Sequence, residues 1–278
     1  MLRPEDMAGM AFSDFVRLGL VEGLANEAYH ESPGVSKTGL DHISKSAAHY
    51  VAYVQGNDKD TDAKRFGHLF HRFILEPDLC RLAVWDGPAR NTKAGKEAWA
   101  EFLEKHQEHE VVSVDESRAL EGMRASVYAH SAARNLLNIS GRSELSRWSY
   151  DQRTGELCKV RPDRLLDIGM AFDLKSCKDA SPRGFSKACA ERRYHVQGAF
   201  YPDKLGLDEK RFPFIAVEKD PPYAVAVYEL DPQAVEFGRY LYERDLIRLA
   251  ECKISKQWPA YSEKIERLTL PAWATKEI

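Results

Sequence analysis

Residues 161–176 read RPDRLLDIGMAFDLKS, and the fold depends on how this stretch doubles back on itself. In its second half, AFDLKS, side chains of a strand would alternate between faces, so Asp173 and Lys175 share one side while Phe172 and Leu174 share the other. A carboxylate and an ammonium are then neighbours on one face. Asp163 precedes Asp173 by ten residues, directly after Pro162, and a hairpin turning at Gly169 would return it alongside. Two converging carboxylates beside a lysine suit phosphodiester cleavage, because hard magnesium ions take oxygen ligands and a pair of ions can stabilise both the attacking and the leaving oxygen. The lysine can orient or deprotonate the attacking water and offset charge in the transition state. Taken alone, the same D-x-K spacing also describes a surface ion pair on an edge strand.

Outward from this stretch the chain predicts short strands, with helices on either side. SELSRWSY (143–150), the polar turn DQRTG (151–155) and ELCKVRPDRLLDI (156–168) lead into AFDLKS as an antiparallel meander. A helix is expected from about Gly184 to Leu205, then strands in RFPFIAVE (211–218) and PYAVAVYEL (222–230). A last helix opens at Asp231 with Pro232 in its first turn. Upstream, helical patterns cover roughly Ser36 to Val54 and Lys64 to Glu76, the latter stopped by Pro77. A longer helix enters at Ser113, where Ser113 and Glu116 fit a capping box and Leu120, Met123 and Val127 form a buried stripe. These elements make an α/β class with a central mixed sheet flanked by helices.

The 278 residues, 44% hydrophobic and 30% charged, can bury one large core. No repeat, low-complexity stretch or Pro/Gly/Ser linker marks a boundary, so residues 1–278 are expected to form a single domain. No run reaches the roughly 18 apolar residues of a membrane span, and the opening MLRPEDMAGM lacks the pattern of a secretory signal, so a cytoplasmic protein is expected. Cys80, Cys158, Cys177, Cys189 and Cys252 include no CxxC pair and are expected to be reduced thiols. A net charge of −3 is a weak footprint for nucleic-acid binding unless charge is segregated. Basic residues do concentrate between Arg153 and Arg193 and acids between Glu97 and Glu121, although a solvated helix face would read the same way.

YHESPGVSKTGLDHI (29–43), FGHLFHRFILEP (66–77), CKVRPDRL (158–165), FDLKS (172–176) and YHVQGAFY (194–201) closely resemble, in order and spacing, the RecE family of exodeoxyribonucleases. They more distantly resemble lambda exonuclease, and WPAYSEKIERLTLPAWA (258–274) adds a weaker likeness. The resemblance implies a PD-(D/E)xK, restriction-endonuclease-like core at about 141–230. A helical portion at about 1–140 would precede it and a helix and tail at about 231–278 would follow. It also implies that Asp163 and Asp173 bind metal and that Lys175 is the catalytic lysine.

On the same basis His71 joins the metal site, with His68 one turn earlier as its competitor, and Glu144 is a further active-site carboxylate. Gln197 and Tyr201 correspond to the family's Q-x-x-x-Y motif, and Tyr194 precedes them at helical spacing, where the three could order water, the scissile phosphate or Lys175. Ser36, Lys37 and Thr38 correspond to a 5'-phosphate-binding region; a helix start with free amides can hold an anion, and Ser36 reads equally well as a simple N-cap. Arg161 is either a DNA-phosphate contact or part of a structural ion pair. The iron–sulfur cluster of some RecB-like nucleases needs three late cysteines, and here only Cys252 is late.

The implied activity is magnesium-dependent 5'-to-3' degradation of linear double-stranded DNA, the work of two ions per site with manganese as a substitute, leaving 3' single-stranded tails. The implied partners are DNA ends, a single-strand annealing recombinase of the RecT or Bet type and further copies of the chain in a ring. Another RecB-like nuclease, with endonuclease activity or different polarity, and a noncatalytic end-binding protein are the alternatives.

Overall fold

The computed structural model describes residues 19–56, 61–207, 212–271 and 274. The chain opens with β1 (Leu20–Val21), α1 (Asn26–Glu31), α2 (Lys37–Lys45), α3 (Ala47–Val54) and α4 (Asp62–Leu75). There follow β2 (Leu82–Trp85), α5 (Lys93–Lys105), β3 (Glu110–Ser113), α6 (Val114–Ala129) and α7 (Ser131–Asn138). Strands β4 (Gly141–Ser143), β5 (Ser146–Tyr150), β6 (Leu157–Val160), β7 (Arg164–Leu166) and β8 (Met170–Cys177) lead to α8 (Pro182–Glu191) and α9 (Tyr194–Leu205). The last elements are β9 (Phe214–Glu218), β10 (Val225–Tyr228) and α10 (Pro232–Ser255).

The five-stranded sheet runs β10-β9-β8-β7-β4 and is mixed, because β8 and β9 are parallel while the other pairs are antiparallel. Its two faces pack against different helices, as the strand alternation requires. Ala171, Phe214 and Ala216 face a core shared with α2, α8, α9 and α10, whereas Phe172, Leu174, Ile215 and Val217 face one built from α4, α6 and α7. The expected mixed sheet between helices is therefore present, and the alternation in AFDLKS is its organising feature.

The meander departs from expectation. ELCKVRPDRLLDI is not one strand: β6 pairs with β5 in a separate three-stranded sheet, and β7 pairs with β8 and β4. The break falls at 161–163, where Pro162 has no N–H for a ladder bond. Gly169, at φ 73°, does turn the β7–β8 hairpin. The helix expected over 36–54 is split at Ser46, which is extended and uses its hydroxyl to cap α3 by accepting from the His49 amide at 3.2 Å. The helix expected over 184–205 breaks at Arg193, which is left-handed with φ 54° and ψ 41°. The capping box at Ser113 and the buried Leu120, Met123 and Val127 stripe are as expected. The Asp231 cap, accepting from the Ala234 amide at 2.7 Å, also forms.

α9 and α10 approach closely at Gly238, where an added Cβ would lie 2.0 Å from the His195 carbonyl oxygen. Gly to Ala in a helix interior ordinarily stabilises. Here the contact is backbone, which cannot rotate away, so Gly238→Ala should lower unfolding stability by about 2 kcal/mol. Urea denaturation measures it, and unchanged or increased stability would show that the helices separate freely.

Candidate active site

The site forms where the β7–β8 hairpin emerges beside α4 and α9. The β7–β8 register ends at Arg164 opposite Phe172, so the Leu174 amide lies beyond the last strand pair. Asp163 takes over as its acceptor: Oδ2 receives the Leu174 N–H at 2.6 Å. A carboxylate placed where the strand stops both satisfies a buried amide and is held rigidly. Its other oxygen, Oδ1, lies 3.2 Å from His71 Nδ1 on α4.

Asp173 and Lys175 share the face of β8 turned toward α9, as their spacing requires. Asp173 Oδ1 accepts from Gln197 Nε2 at 2.8 Å, and Oδ2 lies against the Lys175 ammonium. Asp163, Asp173 and Gln197 are buried, and the Lys175 side chain is 16% exposed. Gln197 thus fixes one oxygen of Asp173 from the facing helix.

Burial and the neighbouring Asp163 charge raise the Asp173 carboxyl, against the opposing pull of Lys175. For Asp163, burial acts upward, yet His71, Lys175 and the Leu174 amide outweigh it and hold the carboxyl below its ordinary value. Burial would lower Lys175, but Asp173 and Asp163 hold it above the ordinary lysine value. The same competition, settled by Asp163, raises His71. Lys175 is consequently an ammonium at neutral pH. An ammonium at this position can donate hydrogen bonds.

Glu144 sits just before β5 with φ 51°, a left-handed conformation uncommon for a residue with a side chain. Its amide donates to the Asp163 carbonyl at 3.1 Å, tying the two acidic residues together. Burial and Asp163 push the Glu144 carboxyl up to about 7. Ligand atoms of His71, Glu144 and Asp163 all lie within 4.8 Å of one another. One imidazole and two carboxylates form a donor set suited to a divalent ion, with oxygen predominating as magnesium or manganese requires. Asp173 stands outside this trio, its oxygens engaged by Gln197 and Lys175. His71, rather than the exposed His68, is the α4 histidine at the site.

Other expected contacts are placed differently. Arg161 is buried: Nε donates to Ser146 Oγ at 2.7 Å and an Nη to the Leu24 carbonyl at 3.1 Å, while the guanidinium lies 4.1 Å from the Tyr29 ring centre. Its Nη1 is 3.8 Å from Glu144. The guanidinium is therefore engaged inside the fold. Ser36 caps α2 by accepting from the Gly39 amide at 3.2 Å. Lys37 Nζ donates to Asp41 at 2.7 Å and to the Arg192 carbonyl at 2.6 Å. Ser36 and Lys37 thus fasten a helix start, and Thr38 follows in its first turn. Tyr194 packs against Lys175, with 4.7 Å from ammonium to ring centre. Tyr201 packs edge-on against Phe212 at 5.6 Å, and burial raises its hydroxyl well above the usual phenol value. Tyr29 and Ser146, which position Arg161, had no legible signal of this role in the sequence.

The profile of the PDDEXK-like domain of unknown function, DUF3799, matches residues 36–271, a span containing every candidate site residue named above. A candidate exonuclease from Eubacterium rectale aligns with a TM-score of 0.59 and 12% identity, over 93% of this chain and 100% of its own. At that identity the likeness shows a shared fold alone. A phage-related exonuclease from Haemophilus somnus 129PT aligns over 68% of this chain and 94% of its own, with a TM-score of 0.32 and 10% identity. No curated protein matches the chain. Among the described residues, no helix is long and apolar enough to cross a membrane.

Proposed function

The chain belongs to the DUF3799 family of PDDEXK-like domains, and on that premise we propose that it is a magnesium-dependent exonuclease acting on ends of linear double-stranded DNA. The observation that carries this reading is the convergence of Asp163, Asp173 and Lys175, with His71 and Glu144 beside them, at the central strand β8. His71, Glu144 and Asp163 would hold the ion, with Asp173 next to them. When bound, a divalent ion supplies Lewis-acid stabilisation of the phosphodiester oxygens.

The chain's own groups supply the rest. The Lys175 ammonium donates hydrogen bonds to the attacked phosphoryl group and offsets charge developing there. Asp173, fixed by Gln197, keeps that ammonium on the reacting face of β8. Asp163, anchored by the Leu174 amide, keeps the acidic cluster assembled before substrate arrives. Direction 5' to 3', 3' single-stranded products, a ring of several copies and cooperation with a single-strand annealing recombinase belong to the proposal too. Their support is the ordered resemblance to RecE.

Linear duplex labelled at either end, incubated with magnesium beside closed circular DNA, tests this reading. Release of 5'-terminal nucleotides first, with the circle intact, is the expected result. Cleavage of the circle would establish an endonuclease instead, and release from the 3' end would reverse the polarity.

Metal binding has its own readout. An ion at His71, Glu144 and Asp163 relieves repulsion between buried carboxylates, so manganese should raise the melting temperature, with about 2.7 kcal/mol of stabilisation at a hundredfold excess over Kd. Glu144→Gln should remove most of that increase. A melting temperature indifferent to manganese would contradict the donor set.

A further inference from the structure

Lys175 has two different attractive partners. Its ammonium lies against Asp173 on the same strand, and also 4.7 Å from the centre of the Tyr194 ring and 6.0 Å from that of Phe214. Lysine carries its charge on a flexible four-carbon stem. An ion pair with Asp173 fixes the distance of the charge from one carboxylate but leaves its direction loose. An aromatic face within about 6 Å attracts a cation and restricts that direction, more strongly where water is excluded.

The ring that does this is itself held in place. Tyr194 stacks on Phe214 with centroids 6.0 Å apart and an interplanar angle of 24°, and lies 6.0 Å from the Phe185 ring. It is the first residue of α9, directly after left-handed Arg193. The Arg193 guanidinium pairs with buried Asp245 of α10, donates to the Leu40 carbonyl of α2 at 3.0 Å and lies 3.5 Å from Asp41. The start of α9, and Tyr194 with it, is thereby pinned to two other helices. Lys37 Nζ lies 5.7 Å from the centre of the same ring, held back by Asp41 and the Arg192 carbonyl. Two ammonium groups therefore lie near this ring, only one of which shares a strand face with Asp173.

We propose that Tyr194 is a positioning residue that directs the Lys175 ammonium through the face of its aromatic ring rather than a DNA contact made through its hydroxyl. The role rests on the nuclease reading of the site. The ring does the work, so the phenol oxygen is dispensable: Phe keeps a π face and Leu keeps only bulk. Loss of the ring leaves Lys175 free to swing about Asp173, which reduces the fraction of enzyme aligned for reaction without altering the DNA-binding surface.

The test compares wild type, Tyr194→Phe and Tyr194→Leu by kinetics on linear duplex DNA, melting temperature and NMR of ¹³C-labelled lysine side chains. The Lys175 ε-methylene signal, assigned by its disappearance in Lys175→Arg, should be shifted upfield by the ring in wild type and in Tyr194→Phe. It should return to the ordinary lysine position in Tyr194→Leu. In Tyr194→Leu kcat should fall about 10- to 30-fold, the scale of a desolvated cation–π contact, with KM for DNA unchanged. Tyr194→Phe should restore kcat to within about threefold of wild type. A folded Tyr194→Leu protein with wild-type kcat would overturn the proposal. So would a rise in KM common to Phe and Leu, which identifies a hydroxyl contact with DNA, or an unshifted Lys175 signal in wild type. Wild-type protein that shows the upfield signal but cleaves no DNA would uphold the ring contact while removing the nuclease reading.

Discussion

Asp163→Asn should reduce cleavage of linear duplex DNA by about a thousandfold or more while leaving the protein folded. Asn keeps an oxygen able to accept the Leu174 amide, so the hairpin retains the bond that Asp163 makes at 2.6 Å. It loses the negative charge facing His71 at 3.2 Å and, on the proposed metal site, one hard oxygen donor of the trio with Glu144. Loss of a single group that stabilises transition-state charge costs about a hundred- to a thousandfold in kcat, and loss of the ion's ligand removes a larger share of the same stabilisation. DNA binding should persist, because most protein–DNA contacts go to backbone phosphates and sugars. Single-turnover cleavage and fluorescence anisotropy in calcium separate the two effects. Turnover near wild type would remove Asp163 from the chemistry.

Lys175→Met should lower kcat by about a hundred- to a thousandfold, with DNA affinity little changed. Met fills similar volume, so the face of β8 stays packed, but Asp173 loses the cation beside it while Asp163 remains near. Burial and Asp163 already raise the Asp173 carboxyl against the pull of Lys175. Without that pull Asp173 should be protonated more readily. On the proposed mechanism the variant therefore loses a donor to the phosphoryl group and weakens the adjacent carboxylate together. A drop in affinity with unchanged single-turnover rate would instead make Lys175 a DNA-binding cation.

The site was legible where a local rule fixed geometry. Strand alternation put Asp173 and Lys175 on one face, and Gly169 turned the hairpin that returns Asp163. The Ser113 capping box and the Asp231 cap were also local, and both formed. What escaped the sequence depended on partners distant along the chain. For Arg161 the sequence left a structural ion pair and a phosphate contact both open, because its partners Ser146, Leu24 and Tyr29 are announced by no spacing near residue 161. Lys37 looks free in PGVSKTGL, yet its ammonium reaches the Arg192 carbonyl at the end of α8. The breaks at Ser46 and Arg193 escaped for a related reason: residues on both sides of each are compatible with helix, and tertiary anchoring decides where the chain turns. β2 and β3, a parallel pair joined across α5, were likewise hidden, because their pairing is nonlocal.

Magnesium-dependent release of nucleotides from end-labelled linear duplex, measured for wild type and Asp163→Asn side by side, decides whether Asp163 serves metal-dependent cleavage at DNA ends. Rapid release by wild type, none on closed circular DNA, and at least about a thousandfold less by the variant at equal DNA occupancy are the expected results. Equal rates for the two folded proteins, or release by wild type undiminished when magnesium is removed with a chelator, would contradict that role.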